Sequence, residues 1–169
     1  MHIHNYEKIW LVLAMLLIVA IITTITYGAT AAGISMVADD EETIDSTALG
    51  DDERFADPRV EQIDDNEYEV YVIARQFQFQ PDPIEVPANS RVTFYVTSPD
   101  VLHGFHVEGT NANTMVIPGE VSKLTVEPNE PGEYGIVCNE YCGAGHHDME
   151  GMLIVHPEDE FELEDDSDE

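Results

Sequence analysis

Apolar residues occur in two arrangements along this chain. From 9 to 32 they run together without one charged side chain, as IWLVLAMLLIVAIITTITYGATAA. A helix needs about 20 such residues to cross a bilayer, so the run predicts a transmembrane anchor over 9–32. The rival reading is a cleaved signal peptide, because Ala29, Ala31 and Ala32 end the run. A signal peptide's apolar core is only about 7–15 residues, which favours a retained anchor. Lys8 precedes the run and the acidic stretch DDEE (39–42) follows it. Basic flanks tend to stay in the cytoplasm. Residues 1–8 are therefore expected inside a plasma membrane, with the rest of this single-pass chain outside.

From Tyr68 onward, apolar residues alternate with polar ones. YEVYVIAR (68–75) has the period of a half-buried strand. RVTFYVT (91–97), VSKLTVE (121–127), GEYGIVC (132–138) and GMLIVH (151–156) are further strand candidates. Pro81-Asp82-Pro83, Pro87-Ala88-Asn89, Pro118-Gly119 and Pro131-Gly132 supply turn chemistry between them. Short strands with such turns predict an all-β sandwich or Greek-key barrel over 67–156. Residues 33–66 are acidic and poor in large apolar groups, so they read as a tether. Phe55 and the Pro58 region are its candidates for docking on the domain. The tail, 157–169, is a charge run expected to be solvated.

Charge changes the picture in one respect. Thirty-five acidic residues against 6 basic ones leave a net charge of −29. Such a chain does not bind nucleic acid by charge. With 43% hydrophobic residues it still has enough apolar material for a core. The composition suits concentrated salt, where screening over about 3 Å at 1 M quiets repulsion.

The candidate chemistry lies in CNEYCGAGHHDM (138–149), which holds both cysteines of the chain. A Cys138–Cys142 disulfide would close a very small loop and stabilise little. A thiol redox pair usually has two intervening residues at a helix start, whereas here there are three after a strand. Zinc could take Cys138, Cys142 and His146, but Met149 is spaced to add a thioether. Thiolate, thioether and imidazole together select copper. A mononuclear blue site needs one cysteine; two thiolates can bridge two coppers. A second imidazole must then come from elsewhere, and SPDVLHGFHVEG (98–109) offers His103 and His106.

DVLHGFHV together with CNEYCGAGHHDM resembles the copper A motif of subunit II of heme-copper terminal oxidases. The resemblance covers residues 66–156 and includes the anchor. The single anchor, DVLHGFHVEGTN and FQFQPDPIEVP look most like the B-type oxidases. The resemblance implies a cupredoxin barrel in which Cys138 and Cys142 bridge a dinuclear copper. His103 and Met149 would complete one copper; His146 and the backbone carbonyl of Glu140 would complete the other. It implies a subunit that takes electrons from an external donor, a cytochrome c or a small blue-copper protein. It passes them to heme held in the catalytic subunit I, where oxygen is reduced to water and protons are pumped.

Other residues divide between a functional and an ordinary role. The Glu140 carboxylate either binds a magnesium ion at the subunit interface or only accepts hydrogen bonds. Phe77 and Phe79 stand where A-type relatives carry a tryptophan-rich electron-input patch; here they are either that patch or plain strand residues. Glu7, in YEK, is either a polar helix end or the mouth of a proton-uptake path. His106 and His147 are expected outside the metal's ligands. His2, His4 and His156 read as solvent-facing, and Met36, Met115 and Met152 as packing residues. A free blue-copper carrier, a nitrous oxide reductase domain and a copper-delivery protein fit less well. The second cysteine opposes the first, the missing large catalytic domain the second, and ligands on two barrel loops the third.

Overall fold

A computed structural model describes residues 4–30 and 42–162, which fall in two separate units. The first is helix α1 (Asn5–Thr30), four residues longer at its start than the apolar run predicts. The reason is a cap: the Glu7 carboxylate accepts the backbone N–H of His4 at 2.8 Å, which satisfies a free helix-end donor. Asn5–Tyr27 is long and apolar enough to cross a membrane, spanning about 35 Å at 1.5 Å per residue. Its apolar side chains, such as Trp10, Leu16 and Ile22, are exposed all round, as a lipid-facing helix requires. The hydroxyls of Thr23 and Thr24 donate to the carbonyls of Val19 and Ala20, so these two donors need no water.

The second unit is the expected all-β sandwich. Its strands are β1 (Glu42–Thr43), β2 (Val60–Asp64), β3 (Glu67–Arg75), β4 (Gln78–Gln80), β5 (Ile84–Pro87) and β6 (Arg91–Thr97). They continue as β7 (His103–Val107), β8 (Asn113–Val116), β9 (Glu120–Val126), β10 (Gly132–Val137) and β11 (Glu150–His156). One sheet runs β1-β9-β6-β3-β2 with β4 on β3; the other runs β5-β11-β10-β7-β8. Pairing is antiparallel except for β3 with β6 and β5 with β11. Between the sheets lie Val70, Val72, Phe94, Val96, Phe105, Ile136 and Leu153, all buried. Phe105 meets Phe79 edge-on and Phe94 at a tilt.

The tether expectation for 33–66 fails over most of its length. Residues 42–59 form a strap across the outer face of the first sheet, and β2 adds an edge strand by pairing Val60 with Val70. Leu49 and Phe55 are buried there against Tyr71, Ile73 and Val121. The strap is pinned by Arg54, which pairs with Glu42 and Asp52, and by the Arg59 guanidinium over the Tyr71 ring. Strand β3 is consequently buried on both faces from Val70 to Ala74, not half-buried as its alternation suggests. The tail also differs: Phe161 packs edge-on against Tyr68 and beside the His156 ring. Residues 31–41 and 163–169, with Met36 and the DDE of the acidic flank, lie outside the described residues, as does His2.

Candidate metal centre

Two neighbouring strands place the candidate ligands at one end of the sandwich. Strand β7 begins with His103, and its partner β10 ends at Val137, one residue before Cys138; Val137 stands opposite His106. The ladder between β10 and β11 continues past the strand ends, where the Cys138 N–H donates to the Met149 carbonyl at 3.2 Å. The 138–149 loop is thereby closed at its base. A 3₁₀ turn over His146–Asp148 folds it inward, with the Met149 N–H on the His146 carbonyl.

Five of the predicted donors meet. The Cys138 and Cys142 sulfurs are 3.8 Å apart, and both thiols are free. His103 Nδ1 is 3.8 Å from Cys138 Sγ. On the other side His146 Nδ1 and Met149 Sδ each stand 3.7 Å from Cys142 Sγ. The sixth donor is also present, since the Glu140 carbonyl accepts from the Cys138 thiol at 3.2 Å. Metal bonds of about 2.0–2.3 Å in tetrahedral array set donors roughly 3.3–3.8 Å apart, so the residues fit a metal. The soft sulfur-rich set fits copper. His103, Cys138, Cys142 and Met149 are buried, and His146 is half-buried. Burial, then the neighbouring Cys138, push the Cys142 thiol up to about 11, so a metal must displace its proton.

Asp100 orients His103. Its Oδ1 lies 2.8 Å from His103 Nε2; the same oxygen accepts from the Val101 N–H and the Ser98 hydroxyl, and Oδ2 from the Gln76 N–H at 2.8 Å. Burial alone would raise the Asp100 carboxyl, but these hydrogen bonds outweigh it and hold the group below the usual range. An ionised Asp100 accepts a hydrogen bond from Nε2–H and leaves the Nδ1 lone pair facing the sulfurs, the arrangement metal-binding histidines use. Asp100 stands in the DVLH motif three residues before His103, so helical or strand periodicity gave no sign of it. Gln76 was likewise missed; its side-chain amide donates to the Cys142 carbonyl.

The two phenylalanines part ways. Phe79 is 2% exposed in the core, which fits the plain strand residue of its two readings and leaves it no surface for an electron donor. Phe77 lies in the turn between β3 and β4 and is 37% exposed. Its ring lies against the ligand loop: a side chain added at Gly145 would come within 2.6 Å of it, and one at Gly143, where φ is +132°, within 3.2 Å. Tyr141, which the sequence reading passed over, is 73% exposed and meets His146 edge-on. His106 bonds through Nδ1 to the Ala112 carbonyl at 3.1 Å, and His147 faces Asp148 at the surface; neither is placed among the donors. His156 is not simply solvent-facing, since it pairs with Glu85 at 2.6 Å. Met115 is half-exposed on β8 and Met152 half-buried on β11.

The fold and this site define a cupredoxin-like domain, and the cupredoxin-like domain family matches residues 17–155. Cytochrome c oxidase subunit 2 of Thermus thermophilus is 47% identical over 154 residues, covering 89% of this chain and 91% of the relative. A second sequence of that name from Thermus thermophilus is 51% identical over 68% of this chain and 86% of its own length. A chain of a heme-copper terminal oxidase dimer, solved by cryo-electron microscopy, superposes with a TM-score of 0.70 at 35% identity, over 90% of this chain and all of that one. The chain belongs to the cytochrome c oxidase subunit 2 family.

Proposed function

We propose that this chain is the electron-accepting subunit of a heme-copper terminal oxidase. It takes electrons singly from an external carrier, a cytochrome c or a small blue-copper protein, and delivers them to heme in the catalytic subunit, where oxygen becomes water and protons are pumped. The observation that carries this is the meeting of two free thiols, two imidazoles, a thioether and a carbonyl at one end of a β-sandwich. Cys138 and Cys142 would bridge two coppers; His103 and Met149 complete one, and His146 and the Glu140 carbonyl the other. A copper pair held there would supply one-electron exchange between the donor and the heme.

The chain's own residues do the rest. The core around Cys138, Cys142 and Met149 excludes water, and Asp100 fixes the His103 tautomer. Phe77 and Tyr141 offer the donor an apolar surface beside His146. The Glu140 carboxylate, half-buried, is the group for a magnesium ion at the subunit interface. Residues 1–8 face the cytoplasm, where Glu7, beyond its capping role, collects protons. The one long apolar helix among the described residues supports the B-type class, and the net charge of −29 supports a salt-rich setting.

The test is made in the assembled oxidase. Cys142→Ser should stop reduction of the heme by the external donor while chemically reduced heme still consumes oxygen. Heme reduction by the donor at the wild-type rate would overturn the reading.

A further inference from the structure

The two loops that carry the ligands come from distant parts of the sequence, and one exposed residue touches both. The Gln76 backbone N–H donates to Asp100 Oδ2 at 2.8 Å, and Asp100 Oδ1 holds His103 Nε2 at 2.8 Å. The Gln76 side-chain amide donates to the carbonyl of Cys142. The same amide nitrogen stands 2.8 Å from where a side chain on Gly143 would begin, so the ligand loop has no room to move toward it. The next residue, Phe77, lays its ring against Gly143 and Gly145. A turn between two strands of the first sheet therefore reaches across to the second sheet's ligand loop.

We propose that Gln76 is a positioning residue of the metal centre: its backbone N–H fixes the carboxylate that orients His103, and its side-chain amide fixes the carbonyl of Cys142. One residue thereby sets the spacing of the two ligand-bearing loops before metal arrives. The inference rests on the copper reading of the site. Groups that orient metal ligands commonly change metal affinity by about 10–100-fold when lost. A donor site that keeps its spacing when the metal is absent or reduced also needs little rearrangement on electron transfer. The backbone half of the clip survives any side-chain substitution; the amide half does not. Gln76 itself is exposed, so replacing it leaves the core intact.

The test uses the full chain in detergent with Gln76→Met, which keeps the length but has no donor, and Gln76→Ala. Copper is loaded, and its loss to a copper(I) chelator is timed after reduction. Amide hydrogen exchange at residues 143–145 is followed in the metal-free protein. Both variants should lose copper about tenfold faster and exchange faster at 143–145, with hyperfine splitting that becomes unequal between the two nuclei. A role in packing alone would leave Gln76→Met like the wild type. Wild-type copper loss and wild-type exchange in both variants would overturn the proposal. Failure of the wild type itself to load copper would sink the copper reading instead, and the metal-free exchange would still judge the clip.

Discussion

His103 and His146 are two imidazoles beside one pair of cysteine sulfurs, in opposite surroundings. His103 is 0% exposed, at the start of a strand, and its far nitrogen is locked on an aspartate that accepts three further hydrogen bonds. His146 is half-buried in a 3₁₀ turn, beneath a tyrosine that is 73% exposed. The difference separates two tasks. On the proposed reading, the His103 side, built by the chain against itself, holds geometry, and the more exposed His146 side receives the donor. Polar satisfaction marks the first and exposed aromatic surface the second.

The largest expected effect erases both sides at once. Cys138→Ser or Cys142→Ser should remove the centre, because an alcohol is too hard and too weakly acidic to replace a bridging thiolate; elemental analysis would reveal it as loss of bound copper. Asp100→Asn should act on the closed side alone. Copper affinity should fall by about tenfold or more, as read by chelator competition, with donor docking unchanged. Tyr141→Ala should act on the open side alone. Copper content and melting temperature should stay constant, since exposed substitutions change stability by about 0.5 kcal/mol or less, while electron uptake from the donor slows several-fold in stopped flow. If Asp100→Asn slowed docking or Tyr141→Ala cost copper, the division would collapse.

A pH series sharpens the comparison further. The Cys142 thiol is pushed from 9.0 up to about 11 by burial and by Cys138. A raised thiol pKa favours the protonated folded form, so its stabilisation is complete below pH 9 and fades as pH rises toward 11. Tyr68 and Tyr71 are raised too, chiefly by burial, and titrate in the same direction. The Cys142 share is the difference between wild type and Cys142→Ala in metal-free melting between pH 8 and 11, with the wild type losing more. Copper loading should abolish that share, because the thiols then have no proton left to lose. Met149→Leu should be mildest: a weak ligand is replaced by a side chain of similar size, so both coppers stay and only the reduction potential moves, which voltammetry reads.

Regular alternation was easy to read, and its absence was not. Strand β6 spans Arg91–Thr97 as expected, and β9, β10 and β11 shift by one residue or less. The strap reads as a tether in which Phe55 is a docking candidate; Phe55 does dock, and with Leu49 it suffices to anchor the acidic segment on Tyr71, Ile73 and Val121. Phe77 and Phe79 looked equivalent in FQFQ. The strand begins only at Gln78, so the turn leaves Phe77 outside while the pleat turns Phe79 in. Cys138, Cys142, His146 and Met149 stand out in the sequence by spacing and residue type; the choice of His103 over His106, and the Glu140 carbonyl, rest on the resemblance alone. Gln76 is not legible, because its hydrogen bond to Asp100 spans 24 residues and leaves no periodic trace; Asp100 stands inside the DVLH motif, but only the folded chain shows its bond to His103.

The central claim is that two thiolates bridge two metals in one site. Electron spin resonance of the full copper-loaded chain, calibrated by copper analysis, tests it most directly. The account predicts two coppers per chain and hyperfine splitting from both nuclei sharing one unpaired electron. One copper per chain with splitting from a single nucleus would contradict it.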